Sequence, residues 1–77
     1  MSSTHAAAAL TLNMLNRPAE AESYARRSVR LEPKYVNGNF ALAYSLVMQD
    51  KITPEALTSL QIASNSNTGA RWLLENI

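Results

Sequence analysis

The sequence has no cysteine, so it can form neither a disulfide nor a thiolate metal site. Its single histidine, His5, cannot assemble an imidazole cluster alone. Only two glycines occur, Gly38 and Gly69, which leaves no glycine-rich loop to cradle a phosphate. An excess of charge is missing too: seven basic residues against six acidic ones give a formal net charge of +1. Proteins that grip a phosphate backbone usually carry a large basic surplus, so no nucleic-acid partner is expected. No apolar run approaches the roughly 18 residues that span a bilayer, and no membrane partner is expected either. The opening Met1-Ser2-Ser3-Thr4-His5 puts no basic residue ahead of the apolar stretch at 6–10, unlike a secretory signal. A soluble cytoplasmic protein is the default expectation.

Seventy-seven residues make one small domain. A chain of this size buries only about 60% of its unfolded surface. Without staples a lone core of this size rarely contributes more than about 3–5 kcal/mol. Stability must then come from close helix packing, from partner chains, or from membership of a longer protein.

What is present is helix-forming residues with regular punctuation. Breaks fall at Asn16-Arg17-Pro18, Glu32-Pro33, Asp50-Lys51, Thr53-Pro54 and residues 65–69, and the segments between them are rich in Ala, Leu, Met, Glu and Arg. The first segment spans about 3–15, with Ser2, Ser3 or Thr4 as cap. The second opens on Pro18, which preorganises a first turn. Its Glu20 and Glu22 suit the positive end of the helix dipole, and Arg26, Arg27 and Arg30 suit the negative end. Pro33 terminates it, because the residue before a proline avoids the helical region. Ala21, Tyr24, Ala25, Ser28 and Val29 share one helical face. A fourth segment opens on Thr53-Pro54-Glu55 as cap, first-turn proline and dipole-favoured acid, and a fifth, capped by Thr68, carries Trp72, Leu73 and Leu74.

The third segment is ambiguous by pattern. From 40 to 48 large residues (Phe40, Leu42, Tyr44, Leu46, Met48) alternate with smaller ones (Ala41, Ala43, Ser45, Val47) after Asn37-Gly38, as in a strand leaving a hairpin turn. However, Tyr35-Val36 is too short to supply the partner strand, and Pro33 precedes it. The preferred reading is a helix that is apolar nearly all round because neighbours cover it on both sides.

The chain also repeats itself. Shifted by 34 it matches at Ala9/Ala43, Thr11/Ser45, Leu12/Leu46, Met14/Met48, Asn16/Asp50 and Arg17/Lys51; after one inserted residue it matches at 35, with Glu20/Glu55, Ala21/Ala56 and Ser28/Ala63. The run from Leu15 to Pro33, with small residues at Ala21 and Ser28, resembles the second helix and terminating proline of a tetratricopeptide repeat. Ala9 and Ala43 fall at that family's small position in the first helix, and Leu42 at its leucine. Ala70-Arg71-Trp72-Leu73-Leu74 looks like the opening of a third first-helix. Several positions depart from the family: His5 and Asn39 stand where it has a bulky residue, and Asn16 and Asp50 where it has glycine. An extra residue lies near Thr53, and the 65–68 connection lacks a proline.

The resemblance implies an all-α, right-handed α-solenoid fragment of about five helices in helix-turn-helix repeats. Repeat one would span about 2–34, repeat two about 35–67, and a terminal helix about 69–77. It also implies a concave groove walled by the first helices, in which Leu10, Asn13, Met14, Asn37, Phe40, Tyr44, Val47, Met48 and Trp72 face a partner. Such a groove suits a peptide or helix from another polypeptide, and methionine lets it adapt. The competing account makes Phe40, Tyr44 and Trp72 the completion of a small core. The family's carboxylate-gripping groove uses Lys and Asn where this chain has Ala6 and Leu10, so capture of a chain terminus is not implied.

No catalytic residue and no cofactor are expected. No Cys, Asp or Glu lies within a helical turn of His5 in sequence. Glu20 and Glu22, two apart, do not face each other, and Glu22 pairs better with Arg26 four residues on. Ser2, Ser3, Ser23 and Ser28 lack His/Asp company. The cluster Arg26, Arg27, Arg30 and Lys34 reads as a solvated helix face; as an RNA reader, two repeats would reach too few bases. The expected function is a protein-interaction module, with a self-associating scaffold segment as the alternative. The terminal helices are apolar (Leu12, Met14 and Leu15 at one end, Trp72, Leu73, Leu74 and Ile77 at the other), so association of copies through these ends is also expected.

If Ala21 and Ser28 mark close helix contacts, Ala21→Trp and Ser28→Leu should each destabilise by about 1–3 kcal/mol or more through overpacking. Thermal melts measure this, with Tyr24 and Arg30 substitutions as milder controls.

Overall fold

The computed structural model describes residues 2–76. They form five helices: α1 (Ser2–Met14), α2 (Pro18–Leu31), α3 (Val36–Met48), α4 (Pro54–Ser64) and α5 (Thr68–Asn76). No strand occurs among the described residues. Each helix packs on the next, and α1 also packs on α3. The fold is an all-α array of helix-turn-helix repeats. Ile77, expected at the end of the last helix, lies outside the described residues.

Helix ends follow local chemistry. Pro18 and Pro54 occupy first-turn positions of α2 and α4, and the Thr53 hydroxyl caps α4 by accepting from the Ala56 amide at 3.2 Å. The repeat shows most directly at the ends of α1 and α3. The Asn16 amide donates to the Asn13 carbonyl and the Arg17 amide to the Leu12 carbonyl. Thirty-four residues on, Asp50 donates to Val47 and Lys51 to Leu46 in the same pattern. Both are Schellman closures, which need a left-handed residue. Asn16 and Asp50 supply it at φ 59° and 60°, and Asn and Asp tolerate that region better than other residues with a side chain. These are the two positions where the resemblance led one to expect glycine.

The core is made of small residues. Ala9, Ala21, Ala25, Ala41, Ala43, Ala63 and Ala70 have no exposed surface, and the large side chains fully buried are Leu42, Leu46 and Leu60. Each leucine contributes about 1.5–3 kcal/mol of transfer free energy, and an alanine methyl about 0.8. The alanines matter chiefly by letting helix backbones approach. Ala9/Ala43, Ala21/Ala56 and Ser28/Ala63, matched in the sequence, are all buried. Asn39, placed where a bulky residue was expected, is buried because its amide donates to the carbonyls of Pro33 at 2.8 Å and Tyr35 at 2.9 Å.

Two local expectations are corrected. The sequence assigned the cap of α5 to Thr68, but Thr68 is its first helical residue; the cap is Asn67, whose Oδ1 accepts from the Ala70 amide at 3.0 Å. Asn37-Gly38, suggestive of a turn, lies inside α3. Gly38 is there for contact: a Cβ added to it would stand 2.3 Å from Ser28 Oγ. That hydroxyl is fixed in turn by donating to the Ser2 carbonyl at 2.9 Å.

Helix propensity alone would make Gly38→Ala stabilising by about 1 kcal/mol. The crowding against Ser28 reverses the sign, and a loss of about 1–3 kcal/mol is expected in chemical denaturation. In a double-mutant cycle, Ser28→Gly should remove most of that loss.

Candidate functional site

Four side chains of α3 gather on one stripe. Phe40, Tyr44, Val47 and Met48 fall at i, i+4, i+7 and i+8, a single helical face. On one side of this stripe Leu10, Asn13 and Met14 of α1 join Phe40 and Tyr44 around a cavity of about 290 Å³. On the other side Gly69, Trp72 and Leu73 of α5 complete a cavity of about 370 Å³ with Phe40, Tyr44, Val47 and Met48. The two cavities share Phe40 and Tyr44, whose rings meet edge-on at 5.8 Å. They are also related by the repeat, because Leu10, Asn13 and Met14 stand 34 residues before Tyr44, Val47 and Met48.

Eight of the nine residues expected at the groove line these cavities. Asn37 does not; it is exposed on the first turn of α3 and belongs to neither. Gly69 and Leu73 line the α5 side without having been singled out. Leu73 was legible as the neighbour of Trp72, whereas nothing in the pattern marked Gly69. Trp72 is 63% exposed and Met14 86%, while Tyr44 and Met48 are also open. Trp72 therefore does not complete a core within the described chain, while Phe40 is half-buried against Ala43, Leu60, Ala63 and Ala70.

The groove lining carries no formal charge. Its one deeply buried polar side chain is Asn13, 6% exposed. The Asn13 Nδ2 donates to the Ala41 carbonyl at 3.2 Å, and this bond orients the amide. Its Oδ1, buried, has no hydrogen-bond partner among the described residues.

Charge concentrates on a network that joins the repeats. Arg26 of α2 pairs with Glu22 at 2.9 Å and with Glu55 of α4 at 2.6 Å. Glu22 also accepts from Gln49 Nε2 at 2.8 Å and lies 3.5 Å from Lys51 Nζ. Burial pushes the Glu22 carboxyl up, but the hydrogen bonds from Gln49 and Arg26, with the charges of Arg26 and Lys51, outweigh it and hold it below its ordinary value. The hydrogen bond from Arg26 lowers Glu55 against a smaller opposing effect of burial. The hydrogen bond to Glu55 raises Arg26 in return. Arg30 stands beside this network, lining a shallow depression with Arg26 and Glu55, and borders a second one with Arg27 beside the half-buried His5; the Arg27 guanidinium sits 5.9 Å from the Tyr24 ring. Among the described residues no three of His, Cys, Asp or Glu gather as a metal site, and no helix is long and apolar enough to cross a membrane.

Family models, curated proteins and solved structures yield no match to this chain.

The Glu22–Arg26–Glu55 network gives a stability dependence of defined sign. Both carboxyls are held below the ordinary 4.5, so their contribution is fully present above that pH and is lost as pH falls through the lowered folded values. Arg26→Met should flatten this acid limb in melting temperature between about pH 5 and pH 2 while leaving the slope between pH 6 and 8 unchanged. The half-exposed Glu55 carries the smaller share.

Proposed function

We propose that the chain is a tetratricopeptide-like protein-interaction module that holds a segment of another polypeptide across α1, α3 and α5. The observation that carries this reading is the pair of adjoining apolar cavities that share Phe40 and Tyr44 and leave Trp72 and Met14 open. Apolar anchors in a concave, uncharged channel match the needs of a bound peptide. Two exposed methionines at its rim, Met14 and Met48, let it adapt to shape beside Trp72. The repeated Schellman closures and the buried pairs Ala9/Ala43 and Ala21/Ala56, 34 and 35 residues apart, support the family likeness.

A second reading, a self-associating segment, has its own observation. Ala7, Ala8, Thr11 and Leu12 of α1 border an open depression with Tyr24. Their counterparts 34 residues on, Ala41, Leu42, Ser45 and Leu46, are buried in the core. The end of the array thus presents a face of the kind that the interior covers with another helix, and copies joined through their terminal helices would cover it.

A photo-reactive residue at Met14, Met48 or Trp72 should cross-link a polypeptide in cells, and one at Arg30 or Thr58 should not. Equal cross-linking from Arg30 and Thr58 would remove the groove from consideration. Light scattering across micromolar to millimolar concentration separates the second reading. Under self-association the parent is oligomeric, and Trp72→Glu shifts it toward monomer with a lower melting temperature; a monomer throughout excludes it.

A further inference from the structure

Asn13 stands out because its surroundings do not explain it. It is nine-tenths buried in the wall of the α1–α3 cavity among Leu10, Met14, Phe40 and Tyr44, and its Oδ1 has no partner among the described residues. An acceptor buried without a donor is destabilising, and valine stands at the equivalent position of the next repeat, Val47, in the companion cavity. An apolar residue would therefore fit the fold here. The amide cannot turn to relieve itself, because reversal would set Oδ1 against the Ala41 carbonyl now held by Nδ2.

Resting on the groove reading above, we infer that Asn13 Oδ1 accepts a backbone N–H from a bound segment that is uncharged and extended, with apolar side chains three residues apart. The chemistry of the site selects this occupant. A charged donor such as lysine would be stripped of water in a channel without a counter-charge. A helical segment has its backbone N–H groups, beyond the first turn, already engaged, whereas an extended segment leaves them free. Neighbouring helices pack at about 8–10 Å, so the two cavities flanking α3 are separated by a similar step. A polyproline-type extended chain rises about 3.1 Å per residue with three residues per turn, so side chains at i and i+3 point the same way about 9 Å apart. One fills the cavity at Leu10 and the other reaches Trp72. Oδ1 is closed to solvent in the free chain, so its engagement requires the cavity wall to open, and Met14, 86% exposed, is the side chain of that wall least held by packing.

The test uses the full chain and a displayed library of random dodecapeptides, selected on the parent and counter-selected on Tyr44→Glu. The peptides recovered should carry two apolar residues three apart, lack charge between them, and bind in an extended conformation by NMR. For the tightest peptide, N-methylation at one position should weaken binding to the parent about five- to ten-fold, the loss of one neutral hydrogen bond. The same N-methyl group should cost little on Asn13→Val, which should already bind the unmodified peptide with a similar loss and melt no lower than the parent. Peptides that bind as helices, or an N-methyl cost equal on parent and variant at every position, would overturn the assignment of Asn13 while leaving the groove standing. The N-methyl scan on the parent keeps the test decisive if Asn13→Val folds poorly. Recovery only of peptides indifferent to Tyr44→Glu would overturn the groove itself.

Discussion

Everything in this molecule depends on how closely its helices approach. A chain with few large buried side chains cannot reach stability through leucine burial alone, so it brings backbones together over alanine, serine and glycine. Ser28 against Gly38 is one such contact, where an added Cβ would stand against the Ser28 hydroxyl. At such separations dispersion between backbones takes over part of the role that bulky side chains play in larger cores.

The groove is a consequence of that constraint. α3 is apolar on nearly every side, and its faces toward α2 and α4 accept Ala41, Leu42, Ser45 and Leu46. Phe40, Tyr44, Val47 and Met48 fall together on the remaining one. The rings of Phe40 and Tyr44 are too bulky to enter a small-residue interior whole, and the repeat places their surface beside the equivalent positions of α1. The alternation of large and small residues along 40–48, which imitates a strand, divides its large members between two faces of the helix: Leu42 and Leu46 are buried in the core, whereas Phe40, Tyr44 and Met48 lie on the stripe.

Polar groups mark the points where the array is fixed. Arg26 ties α2 to α4 through Glu55, Gln49 ties the end of α3 to Glu22, and Asn39 secures the turn before α3. Each buried polar side chain of this set finds partners. Asn13 satisfies only its donor within the fold, which sets it apart among residues of the groove.

The sequence by itself determined the helix boundaries to within a few residues, because prolines, Thr53 and the left-handed Asn16 and Asp50 act through the backbone within one turn. It also gave the period of the array, and the family resemblance named eight of the ten residues that line the two cavities. Gly38 as a contact rather than a turn, Asn67 in place of Thr68 as the cap of α5, and the exposure of Asn37 outside the groove were not legible. Neither were the Arg26–Glu55 pair, 29 residues apart, or the unpartnered Oδ1 of Asn13. Tertiary structure decided these because each depends on the distance between one helix and another: whether a Cβ fits, whether a guanidinium reaches a carboxylate, whether an amide oxygen meets a donor. Local propensity and periodicity carry no information about that distance.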